Sequence, residues 1–152
     1  NMKQLIFFFF TLLLSACITP PTPEPTSTPA TPLVLVSADN PYGPQPADGT
    51  FRIAGVDMTS IDLSERADLS PTRVELHVLG SLPSACNELR IEVALPNDQY
   101  QILVNVHSLI NPNLKCENVF QQFEATVLLG LYSEGRYTVW VNNGLIVDFV
   151  TY

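Results

Sequence analysis

The chain has 152 residues, 15 of them acidic against seven basic, for a formal net charge of −8, and 46% are hydrophobic. That acidity argues against nucleic acid as a partner and against peripheral binding to anionic lipid, because like charges repel. The acids are scattered rather than run together, so they read as a solvated surface.

The N-terminus carries an address. Translation is expected to start at Met2, with Asn1 an upstream remnant, and Lys3 supplies a short positive region. Leu5 to Leu14, "LIFFFFTLLL", is an apolar run broken only by Thr11. A membrane-spanning helix needs about 20 such residues; a run of about ten has the length of a signal-peptide core. Leu14-Ser15-Ala16-Cys17 closes the run. These four residues resemble the lipobox of bacterial lipoproteins. The resemblance implies a signal peptide over 1–16, cleavage before Cys17, and lipid on the Cys17 sulfur and new amino group. Ile18 follows, not Asp, so the inner-membrane retention signal of Gram-negative lipoproteins is absent. Each buried CH₂ of an acyl chain contributes about 0.8 kcal/mol, and two or three chains make a stable anchor. No later stretch reaches about 18 apolar residues, so no second membrane segment is expected.

With Cys17 lipidated, Cys86 and Cys116 remain. In an exported chain an even pair reads as a disulfide. The loop of about thirty residues would add roughly 3–4 kcal/mol of chain-entropy stabilisation. Two free buried thiols are the alternative. A metal site is not expected, because no CxxC or HxxxH accompanies them.

Residues 17–50 are expected to be the lipidated cysteine and a Thr/Pro-rich linker. Nine of the 13 prolines fall between Pro20 and Pro46. Proline lacks an amide donor and fixes φ, which favours an extended, solvated spacer. Leu33-Val34-Leu35-Val36 interrupts it as a short strand or a sticky patch.

Residues 51–152 read as one all-β domain. Apolar residues alternate with polar ones: Val74, Leu76, Val78; Leu89, Ile91, Val93, Leu95; Ile102, Val104, Val106; Phe123, Ala125, Val127, Leu129; Tyr137, Val139, Val141; and Leu145, Val147, Phe149. A period of two means each strand buries one face. "FRIAGVDMTSIDL" adds one strand or a bent pair. Six to seven antiparallel strands at this spacing predict a two-sheet sandwich. Asn142-Asn143-Gly144 suits a tight I′ turn joining the last two strands. Leu131, Gly135 and Tyr137 form L-x₃-G-x-Y, which resembles the tyrosine corner of immunoglobulin-like sandwiches. The cysteines do not fall on the strands an antibody domain bridges, so this is not an antibody-type domain.

"GSLPSACNELRIEV" and "FEATVLLGLYSEGRYTVWVNNG" together resemble a group of uncharacterised short secreted and lipidated bacterial domains. The likeness runs from Val74 to Phe149. It implies an Ig-like sandwich with a Cys86–Cys116 bond, and it implies no activity.

No catalytic constellation is evident. His77 and His107 fall on the expected solvent face of their strands. Ser81 and Ser84 in "GSLPSAC" are not a G-x-S-x-G elbow; Ser84 reads as a turn hydrogen-bonder. Glu88 and Glu92, four apart on a strand, lie about 13 Å apart, wider than the roughly 5–9.5 Å of a glycosidase pair. No phosphate loop, Ca²⁺ loop or cofactor motif appears, so no cofactor and no enzyme activity are expected.

Trp140 is the only tryptophan, and alternation turns it away from the core. An Ig-like strand order would place Arg90 or Glu92 on one side of it and Ile146 or Asp148 on the other. Trp140 then either stacks on Arg90 and covers the sheet, or offers a binding platform for sugar or protein. Two functions stay open. One is a membrane-tethered extracytoplasmic binding or adhesion module without catalytic activity, held by its N-terminal lipid, with an envelope protein or glycan as partner. The other is a structural or protease-inhibitor-like envelope lipoprotein presenting the braced "GSLPSAC" loop.

Overall fold

The computed structural model describes residues 39–152. The expected signal peptide, the lipidated Cys17, the Leu33–Val36 patch and the linker as far as residue 38 lie outside the described residues. A 3-10 turn, Asp48–Thr50, precedes eight strands: β1 (Arg52–Ala54), β2 (Asp57–Arg66), β3 (Arg73–Leu82), β4 (Asn87–Val93), β5 (Gln101–Ile110), β6 (Gln121–Leu128), β7 (Gly135–Val141) and β8 (Gly144–Thr151). They form a three-stranded sheet, β2-β3-β6, and a five-stranded sheet built around β5.

The core follows the alternation. Leu76 and Val78 of β3 and Ala125 and Val127 of β6 meet Ile91 of β4, Ile102, Val104 and Val106 of β5, and Tyr137, Val139 and Val141 of β7. All of these are at most 3% exposed. Each buried aliphatic side chain contributes about 1.5–3 kcal/mol of transfer free energy. Gly80 is required where the three-stranded sheet is tightest. A Cβ there would sit 2.3 Å from the Asp57 carbonyl oxygen and 2.8 Å from the Phe123 ring, beside the bulge between Met58 and Ser60 of β2.

Strand order in the large sheet corrects one expectation. The strand beside Trp140's strand is β5, not β4. A short connection returns β4 into β5, and the two pair antiparallel from Asn87↔Ile110 to Val93↔Val104. The opposite edge of β5 is then shared. Over Gln101–Val104 it takes β7 in parallel, and over Ser108–Ile110 it takes β1 antiparallel. The parallel β5–β7 contact is the one departure from antiparallel pairing among the described strands.

A second correction lies in β8. Val139 pairs with Val147 and Trp140 with Leu145, so β8 carries one extra residue, Ile146. Such a bulge swaps which side chains face inward. Ile146 and Phe149 pack against the core, while Leu145 is 55% and Val147 37% exposed. Leu95, expected inside, lies past the end of β4 and is exposed.

The two turn motifs behave as their chemistry demands. Asn142 and Asn143 both have positive φ, 46° and 69°, the conformation of a I′ turn. The Tyr137 hydroxyl donates to the Ser133 carbonyl at 3.0 Å, closing the corner, and its ring stacks on Phe149. Cys86 and Cys116 are disulfide-bonded.

Residues 39–50, read from composition as linker, are seated on the sandwich. The Asp39 carbonyl accepts from Leu128 N–H and the Tyr42 carbonyl from Ile91 N–H, both at 2.9 Å. The Asn40 side chain donates to the Ile91 carbonyl at 2.8 Å. Arg73 holds the Asp39 carboxylate at 2.9 Å.

Candidate functional site

The outer face of the five-stranded sheet is divided. At one end the 3-10 turn lies over it. Asp48 reaches down to Arg90, accepting from Nε at 2.9 Å and Nη2 at 2.8 Å. Arg90 also donates to Glu88 and to the Leu89 carbonyl, each at 2.9 Å. Asp48 further accepts from the Gln45 N–H at 2.7 Å. The Arg90 guanidinium holds the Asp48 carboxyl below its ordinary value, against the opposing effect of burial. The same pairing raises Arg90. Bidentate charge-assisted bonds of this kind fix geometry as well as adding energy.

Under this cover lies His107, the register partner of Arg90. It was expected to face solvent and does point to the outer face, but the 3-10 turn buries it to 8% exposure. Its Nε2 stands 4.0 Å from Glu92. Its Nδ1 is buried with no hydrogen-bond partner. His77, by contrast, meets Glu124 at 2.9 Å on the exposed face of the small sheet.

The other end of the outer face is open. Trp140 is half-buried, and its indole N–H donates to Thr138 Oγ1 at 3.1 Å. Across the strands it pairs with Leu103 on β5 and Leu145 on β8, 48% and 55% exposed. Beside this apolar row runs a polar one: Glu92 of β4 pairs with Asn105 of β5, and Asn143 stands at the turn after β7. Trp140, Leu103, Glu92, Asn105 and Asn143 line one groove of about 750 Å³. Asn142, also at its rim, is committed to structure: its amide bonds both the N–H and the carbonyl of Val106, at 2.8 and 2.9 Å.

The five residues expected to make the binding face therefore separate. Trp140, Glu92 and Asp148 share the outer face. Asp148 is taken by Arg136, whose Nε donates to it at 2.7 Å. Arg90 lies two strands from Trp140, across β5, and is clamped under the turn, so it does not stack on the indole. Ile146 is turned inward by the bulge. Leu103, Asn105 and Asn143 belong to the face and were not singled out from sequence. Asn105 and Leu103 are the outward residues of "QILVNVH", so alternation marks them once β5 is known to flank β7.

In "GSLPSAC", Leu82 and Ser84 are buried. Ser84 Oγ accepts from the Cys86 N–H at 3.3 Å, a turn bond, and donates to Asn87 at 2.7 Å. Asn87 donates on to Ser108, which donates to the Gly55 carbonyl at 3.0 Å. This buried polar chain fastens β1 and β4 to the inner side of β5.

The described part of the chain is thus a disulfide-braced, two-sheet β-sandwich domain. Residues 76–151, half the chain, match the family described as the ORF11 beta-sandwich domain, and the chain belongs to that family. It has no match among curated proteins or among solved structures.

Proposed function

We propose that this chain is a bacterial lipoprotein: a membrane-tethered, extracytoplasmic binding module without catalytic activity, held by lipid on Cys17 and binding through the open half of the outer sheet face. The observation that carries this reading is the placement of Trp140, half-buried between the exposed Leu103 and Leu145 on a rigid sheet. Large aromatic and apolar groups left uncovered beside polar side chains are the usual make-up of a recognition surface. The lipobox and the Thr/Pro-rich segment after it support the tether. The buried side chains of "GSLPSAC" favour binding over the inhibitor reading, since a protease inhibitor needs an exposed loop.

Two measurements test it. Intact mass of the mature protein should show an acylated N-terminal Cys17; an unmodified cysteine would sink the anchor. Wild type should bind isolated envelopes and Trp140→Ala should not, at equal melting temperature. Equal binding by both would remove the face.

A further inference from the structure

Resting on the binding-face reading above, we infer that the groove beside Trp140 takes a neutral pyranose oligosaccharide. The groove offers two rows with different chemistry, fixed on strands and, at Asn143, on the β7–β8 turn. In the apolar row the indole N–H is already bonded to Thr138, so the indole presents its face and no donor. Leu103 extends that face within the groove, and Leu145, the partner of Trp140 on β8, continues it beyond the groove's edge. Such a strip suits a ligand that is flat and apolar on one side, as the C–H face of a pyranose is.

The polar row suits the rim of the same ring. Among the described residues, neither Asn105 nor Asn143 makes a side-chain hydrogen bond, in contrast to Asn142, Asn87 and Asn40. Each amide has two donors and an acceptor to offer, and the half-exposed Glu92 adds a carboxylate acceptor. Ring hydroxyls, which both donate and accept, complement that mixture. A protein partner would more often meet a depleted-charge apolar centre. The volume lies within the ~300–1,000 Å³ range of small-ligand clefts.

Charge sets the subclass. The acids at the groove are Glu92 and Asp39, and the Arg73 guanidinium at its rim is held by Asp39 at 2.9 Å. With no cation left over among the groove's described residues, and a net charge of −8 on the chain, anionic polysaccharides are repelled.

The single tryptophan makes the site its own reporter. The full chain in detergent is titrated with N-acetylglucosamine tetramer, cellotetraose and, as the anionic control, oligogalacturonate. A neutral sugar should give a saturable blue shift of emission and protection from acrylamide, and oligogalacturonate should give neither. Asn105→Ala, and Asn143→Gly, which keeps the positive-φ turn while removing the amide, should each weaken that response at least tenfold without moving the melting temperature. No saturable response to neutral sugars on a wider glycan array, or one that the Asn variants leave unchanged, overturns the inference. Envelope binding separates the two levels. If it needs Trp140 but survives periodate oxidation of the envelope glycans and is lost on protease treatment, the ligand is a protein: the sugar inference fails and the binding face stands. If Trp140→Ala leaves envelope binding intact, the face itself is wrong.

Discussion

The covered and open ends of one sheet face use the same strand chemistry to opposite ends. At the covered end Arg90 and His107 stand on neighbouring strands, and Asp48 closes over them. At the open end Leu103 and Trp140 stand on neighbouring strands with nothing folded over them among the described residues. Polar side chains are buried at one end and large apolar ones exposed at the other, the reverse of the ordinary partition. Burial of Arg90 is tolerable because the Asp48 pair satisfies it. Exposure of Leu103, Trp140 and Leu145 has no such structural compensation, which is why that end reads as a surface for a partner.

Perturbing the covered end should cost stability, and perturbing the open end should cost binding. The largest effect is expected from Cys86→Ala, which releases the brace beside Asn87 at the covered end. It should destabilise by about 3–4 kcal/mol, seen as a lower urea midpoint, while thiol labelling of the unreduced wild type finds neither cysteine. Asp48→Asn comes next. It removes the negative charge and one of the two acceptors of the bidentate pair with Arg90, at an expected cost of about 2–3 kcal/mol in the same urea experiment. A loss under about half a kilocalorie would mean that the cover is decorative.

Asp48 also predicts a pH dependence. Its folded value lies below the ordinary 3.8, so the unfolded chain binds its proton first as pH falls. The stabilisation is complete above about pH 4 and is lost as pH drops through the lower folded value. Wild type and Asp48→Asn should therefore converge in stability as the pH falls below that lowered value. A gap that stays constant would exclude carboxylate titration as its source.

Trp140→Ala should change stability by about 1 kcal/mol or less, far from the roughly 3–5 kcal/mol of a core tryptophan. Native emission should be red-shifted and readily quenched by acrylamide. Smallest of all, Leu103→Ser should fall within about 0.5 kcal/mol and yet weaken envelope binding. If Leu103→Ser instead unfolds the domain, the open end is core and the comparison collapses.

Much of this was legible in the residues, for a physical reason. Alternation reports burial one strand at a time, so Val74 to Val78, Ile102 to Val106 and Tyr137 to Val141 could be assigned faces without knowing their neighbours. Turn chemistry is equally local, and Asn142-Asn143-Gly144 and the Tyr137 corner followed from it. Strand order is not local. Nothing in "QILVNVH" states that it separates β4 from β7, so Arg90 was placed beside Trp140 when β5 lies between them. A bulge is nearly invisible to a period-two reading. One extra residue in β8 reversed the faces of Leu145 and Ile146. The Asp48 cover was missed because "PQPADGT" has the composition of a linker. The available hint was Arg90 itself, a cation at an outward position whose cross-strand partner on β5, His107, is not an acid.

The entry of the N-terminal chain has a mechanical consequence. Asp39 bonds Leu128 and Arg73 on the three-stranded sheet, and Asn40 and Tyr42 bond Ile91 on the five-stranded one. Tension arriving along the chain is therefore shared between both sheets at once, instead of peeling a single strand from one edge. Asp39 and Asn40 also line the groove that holds Trp140. In the tethered binding module proposed above, load and ligand would meet at the same place, and a pull on the lipid anchor would be felt first by the walls of that groove.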